Sequence, residues 1–86
     1  MQVSELSVAK LLAAIAKQAA IVREHNDAFI AAGRGHERFS EIRESAKNGH
    51  DLLALSYVAA LDAESALEYE RARRLRYHGT LKPIKA

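Results

Sequence analysis

The feature that most constrains this chain is the run Leu52-Leu53-Ala54-Leu55-Ser56-Tyr57-Val58-Ala59-Ala60-Leu61, apolar at nearly every position between Asp51 and Asp62. At 3.6 residues per turn, such a run places apolar side chains on every side of a helix. The segment must therefore be enclosed on all sides, or face the core on one side and a partner on another. It is about half the roughly 20 residues that a membrane span requires. A chain of 86 residues holds one domain. A domain of this size buries only about 60–65% of the surface its unfolded form exposes. The remaining sequence offers two more helices, one of them short, and these cannot wrap the run completely. A second polypeptide is expected to cover the excess.

Other means of stabilising so small a chain are missing from the sequence. Cysteine is absent, which removes disulfides and Cys-based zinc sites together. The four histidines, His25, His36, His50 and His78, form no i, i+4 pair of the kind a helical metal site uses. Small domains that lack both supplements commonly associate. Residues 1–6 carry Glu5 where a secretory signal would carry basic residues, so a cytoplasmic location is expected.

Low Gly and Pro content divides the chain into three helical segments and a short tail. The first helix should begin near Ser4 as N-cap, with Val3 and Val8 closing a hydrophobic staple. Val8, Leu12, Ile15, Ala19, Val22, Asn26 and Phe29 then alternate in steps of four and three, a heptad seam broadened by Leu11 and Ile30. Gly33 and Gly35 end it. The second helix is short, roughly 36–47, with Phe39, Ile42 and Ala46 as its apolar stripe and Asn48-Gly49 as its stop. A continuous helix through Asn48 is the lesser alternative. The third should start with Asp51 as N-cap and run to about Tyr77, with Gly79 as its terminator. The expected fold is all-α: a helical hairpin or three-helix unit (long, short, long) over 1–78 that completes a bundle by oligomerisation. A basic tail, 79–86, follows, in which Leu81 and Ile84 are able to dock back.

Charge is segregated along the third helix. The ionic residues from Asp51 to Glu70 are all acids, whereas Arg71, Arg73, Arg74, Arg76, Lys82 and Lys85 follow with no acid among them. Acids near a helix start and bases near its end complement the macrodipole, which explains the pattern without a ligand. The functional reading is a patch of Arg71, Arg73, Arg74 and Arg76 that grips phosphates, with Tyr69 or Tyr77 as a stacking face. A formal net charge of +2 is low for a nucleic-acid binder, so this reading ranks second.

Other constellations read as structural. Asn26 either fixes register within the seam or is solvated at its end, and both readings stay open. His25-Asn26-Asp27 supplies no nucleophile. Glu64 and Glu68 share a helix face, yet the Glu-x-x-His motif of carboxylate metal bundles is absent. His36-Glu37 does not extend to HExxH, because position 40 is Ser, and Gly33-Arg34-Gly35 lacks the strand and spacing of a phosphate loop. Tyr57 is expected at a core or interface boundary.

The expected function is that of a non-enzymatic protein–protein interaction module, a small helical adaptor, regulator or inhibitor of bacterial or phage type. Its partners are a second copy of itself, as a homodimer, or another protein, and not a membrane. No catalytic residue, metal or cofactor is expected. The expected interface comprises Val8, Leu12, Ile15, Val22 and Asn26 on the first helix, with Leu52, Leu55, Val58 and Leu61 on the third.

Overall fold

A computed structural model describes residues 3–78, with side chains through Arg76. Three helices follow a short 3-10 turn at Val3–Glu5: α1 (Val8–Ala31), α2 (Phe39–Lys47) and α3 (Leu52–His78). No strand occurs among the described residues. The fold is the long–short–long helical unit that the sequence predicts. The tail at 79–86, and with it the roles expected of Gly79, Leu81 and Ile84, lies outside the described residues.

α1 and α3 form an antiparallel hairpin. The amide of Gln18 in mid-α1 donates to the Ala60 carbonyl at 2.9 Å, and the ring of Phe29 near the end of α1 lies 5.1 Å from that of Tyr57. The molecule measures 43 × 21 × 21 Å. Its long dimension is the length of α3 itself, about 40 Å at 1.5 Å per residue. Its radius of gyration, 15.2 Å, exceeds the value of about 12 Å expected for a compact chain of this length. α2 is only about 14 Å long, so it braces one end of the hairpin and leaves the rest as two helices.

Each helix start has a local cause, and two depart from expectation. Ser7, not Ser4, caps α1: its backbone is extended and its hydroxyl accepts from the Lys10 N–H at 3.2 Å. Ser4 belongs instead to the 3-10 turn, so Val8 is the first residue of the helix and the expected staple has no geometry to close. The turn is held by α3, a contact that local sequence cannot register. α2 begins at Phe39 rather than His36, with the Glu41 carboxylate accepting from the Arg38 N–H at 2.9 Å. Asp51 caps α3 as expected, accepting from the Ala54 N–H at 3.1 Å.

The helix stops follow the glycines, for two different reasons. Gly33, at φ 76°, lets the Gly33 N–H reach the Ile30 carbonyl and the Arg34 N–H reach the Phe29 carbonyl, the paired bonds of a Schellman ending. Gly35 is not left-handed. A Cβ there would stand 3.1 Å from Cγ1 of Ile30, so this glycine serves close packing of the loop on α1.

The core is thin. Among the described residues, Leu11, Phe29, Ile42, Ala46, Ala54 and Ala60 are the buried apolar ones. Phe29, Ile42, Ala46 and Ala54 form one cluster where all three helices meet, with Leu53, Tyr57 and Val58 packed against it. Ala54 at 0% exposure explains the tight meeting: a residue without side-chain bulk lets α1 and α2 approach the α3 backbone together. Phe39, expected in the α2 stripe, is 45% exposed and carries the Arg43 guanidinium over its ring.

Candidate functional site

Three features outside the core are candidates for function: a pocket beneath the α1–α2 loop, the outer face of α3, and the basic end of α3. The pocket, about 100 Å³, is lined by Asn26, Phe29, Arg34, Glu37, Ile42 and Tyr57 among others. The side chain that organises it is Arg34, which sequence reasoning passed over. Arg34 Nη1 and Nη2 donate to both oxygens of Asp51, at 3.0 and 2.7 Å, and Nη2 also reaches Glu37 at 2.9 Å. Nε donates to the second oxygen of Glu37, and the guanidinium lies 4.6 Å from the centre of the Phe29 ring. One planar cation thus ties the end of α1, the following loop and the cap of α3 together. The sequence signal existed: an arginine one residue past a helix-ending glycine, followed by an acidic N-cap.

The electrostatics follow from that geometry. The hydrogen bonds to Glu37 and then Asp51 hold the Arg34 guanidinium more firmly protonated than usual. The same bonds pull the Glu37 and Asp51 carboxyls below their ordinary values, Asp51 being helped by the Ala54 N–H. Depressed carboxylates contribute stability that is present above the unfolded pKa of about 4 and lost as pH falls through the folded values. The unfolded state binds more protons in that window, so acid favours unfolding. Thermal melts should therefore show intact protein losing more stability as pH falls below about 4 than Arg34→Gln, in which most of this linkage is removed and only the Ala54 N–H still holds Asp51 down. Equal acid slopes in the two proteins would reject the assignment. Chemically, the charged groups of the pocket are spent on one another, and its work is to clamp the loop.

The expected interface divides into two surfaces. On α1, Leu11 and Phe29 are five full turns apart and both are buried. The face that meets α3 is therefore centred on them, and the heptad seam is rotated about 50° away from it. Accordingly Leu12 is 42% exposed and Asn26 is exposed at the pocket rim, whereas Val8, Ile15 and Val22 are partly covered. On α3, Val58 packs against the core cluster and Leu61 is partly buried. Leu52 and Leu55, at 70% and 44% exposure, point away from them. α3 thus carries apolar residues on both its inner and its outer side.

The outer face can be followed along the helix. At 100° per residue, Leu52, Leu55, Ala59, Ala63 and Ala66 fall within an arc of about 80°, and all five are exposed. Glu70 and Arg74 continue the same face and are buried, at 3% and 0% exposure. What covers them is the N-terminal turn: Arg74 Nη2 donates to the carbonyls of Val3 at 3.2 Å and Leu6 at 2.8 Å, while Nε donates to Glu70 at 2.7 Å. Sequence reasoning placed Arg74 in a phosphate-binding patch, and that placement is corrected here. A guanidinium bonded to two backbone carbonyls and a carboxylate, and sealed from solvent, is a structural clasp.

The remaining basic residues stand apart from it. Arg71 pairs with Glu68 at 2.9 Å on the surface, and Arg73 lies 5.9 Å from the centre of the Tyr69 ring. Tyr69 is 66% exposed and Arg76 is exposed, while the side chain of Tyr77 lies outside those described. Glu64 and Glu68 are both partly buried on α3. Among the described residues, no three His, Asp or Glu side chains gather to hold a metal ion, and no helix is long and apolar enough to cross a membrane. In comparisons with known proteins, the chain matches no family model, no curated protein and no solved structure.

Proposed function

We propose that this chain is a non-enzymatic protein–protein interaction module that works through the outer face of α3 and associates with itself. The observation that carries the reading is Leu52 at 70% exposure and Leu55 at 44%, one turn apart, on a helix whose opposite side supplies the core. A chain with so few large buried side chains gains little by leaving two leucines in water, and covering each fully is worth about 1.5–3 kcal/mol. Such a surface is better matched to a partner than to solvent.

The rival reading, a regulator that binds nucleic acid through the end of α3, loses Arg74 to the clasp and has Arg71 engaged by Glu68. No observation favours it over the first.

Leu55→Asp separates surface from core. The variant should keep the helical content and melting behaviour of the monomer, because the site is solvent-facing, yet lose self-association in light scattering or sedimentation. An intact chain that stays monomeric up to about 1 mM, with a Kd weaker than about −4 kcal/mol of binding free energy allows, would remove the self-association reading.

A further inference from the structure

We infer that α2 is a flap: it swings away from the α1–α3 hairpin as a unit, on a base that stays closed, and so gates the apolar cluster around Phe29.

The base is the Arg34 clamp. Arg34 and Asp51 lie 17 positions apart in sequence, and Nη1 and Nη2 bond both oxygens of the carboxylate at 3.0 and 2.7 Å. This paired contact closes the chain into a loop that starts at the end of α1 and finishes at the cap of α3. α2 sits entirely inside the loop. Its release therefore leaves the ends of α1 and α3 where they are. The hairpin keeps the Gln18 bond to the Ala60 carbonyl and the Arg74 clasp. Only short connections join α2 to the base. Arg38 alone stands between Phe39 and Glu37, which Arg34 holds. At the other end Asn48, Gly49 and His50 separate Lys47 from Asp51, with Gly49 left-handed at φ 72°.

Little holds α2 down. A helix of 9 residues is marginal by itself, and of these only Ile42 and Ala46 are buried. Arg43 Nη2 bonds Asp62 at 2.6 Å, but both side chains are about half exposed, and pairs of that kind contribute little. One edge of α2 is already parted from the hairpin. Phe39 and Ile42 form one wall of the pocket of about 100 Å³, and Asn26, Phe29 and Tyr57 stand across it. Segments with few buried apolar contacts open locally at less cost than the whole fold. Opening at this edge uncovers Phe29 and Ala54, which are sealed while α2 is down, with Leu53, Tyr57 and Val58 beside them.

Native-state hydrogen exchange of the full chain, with denaturant kept below the unfolding transition, tests the flap. The amides from Ile42 to Lys47 should share one level of protection, at least about tenfold below that of Val22 and Ala60 in the middle of the long helices. Their exchange should depend only weakly on denaturant, because little surface is exposed. The amides of Arg34 and Leu55, bonded to the Phe29 and Asp51 carbonyls at 2.8 and 2.9 Å, belong to the base and should stay protected while α2 exchanges. Asp62→Ala, a change at an exposed site, should speed the α2 group about two- to fivefold and leave Val22 and Ala60 as they were. Protection in α2 equal to that of Val22 and Ala60, with the same denaturant slope, would mean that α2 opens only with the whole chain, and it overturns the flap. Arg34 and Leu55 losing protection together with α2 overturns the closed base. Protection that fades from the ends of α2 towards its centre is fraying, and overturns movement as a unit.

Discussion

Glu70→Ala is expected to destabilise the protein by about 3–5 kcal/mol, the cost of breaking a buried ion pair by removing one member. A chain of this length has a total stability of only about 4–13 kcal/mol, so the variant should lose a large share of it. The cause is the position of Arg74, which is sealed from solvent with its Nε bonded to Glu70 and its Nη2 bonded to the carbonyls of Val3 and Leu6. Removing the carboxylate takes the Glu70 countercharge away from a guanidinium that is sealed from solvent. The least costly response is for the N-terminal turn to lift and let water in. Denaturant unfolding measures the loss, and hydrogen exchange at the Leu6 amide, bonded to the Val3 carbonyl at 3.2 Å, reports the lifting. Replacing both members with neutral side chains, as in Glu70→Gln with Arg74→Gln, should cost less than Glu70→Ala alone. A loss below about 1 kcal/mol for Glu70→Ala would show that the pair behaves as a surface ion pair.

Phe29→Ala should be the most damaging single change in the apolar core, at about 3–5 kcal/mol. Phe29 is 1% exposed and stands where α1, α2 and α3 meet, with Ile42, Ala46 and Ala54 around it and the Tyr57 ring against its own. Among the described residues, three of the six buried apolar ones are alanines, which have no longer side chain to swing into the space. The cavity should therefore stay open, and Arg34 would lose the ring its guanidinium covers at 4.6 Å. Thermal denaturation followed by circular dichroism checks this. Leu55→Ala, a comparable truncation on the outer face of α3, should change monomer stability by no more than about 0.5 kcal/mol. Similar losses in the two variants would mean that the core has been located wrongly.

The face that we propose for association and the clasp lie on one helix. The stripe that we assign to a partner ends where the chain covers its own face, so the N-terminal turn fixes the length of the available contact. Loss of the clasp should alter association as well as stability, which is a reason to measure both in every variant at Glu70 and Arg74.

Local chemistry sufficed for much of this architecture. The Asp51 cap, the stops at Gly33 and Gly49, the brevity of α2 and the length of α3 each depend on residues within one or two turns, and such short-range interactions are written directly into sequence. The unusual character of α3 was also legible, because an all-round apolar run needs cover on more than one side whatever its neighbours are.

Tertiary packing decided the rest. It chose Ser7 over Ser4 as the cap of α1, because the segment before Ser7 is anchored to α3 by a side chain some seventy positions later. It turned α1 so that Leu11 and Phe29 face inward and Leu12 outward, a rotation that heptad spacing cannot specify when the facing surface is one helix and a short brace. It also made Arg34 and Arg74, indistinguishable by composition from the exposed Arg71 and Arg76, into the two clasps of the fold. An arginine's role depends on which carbonyls and carboxylates come within reach of its planar donors, and that is settled only when distant parts of the chain meet.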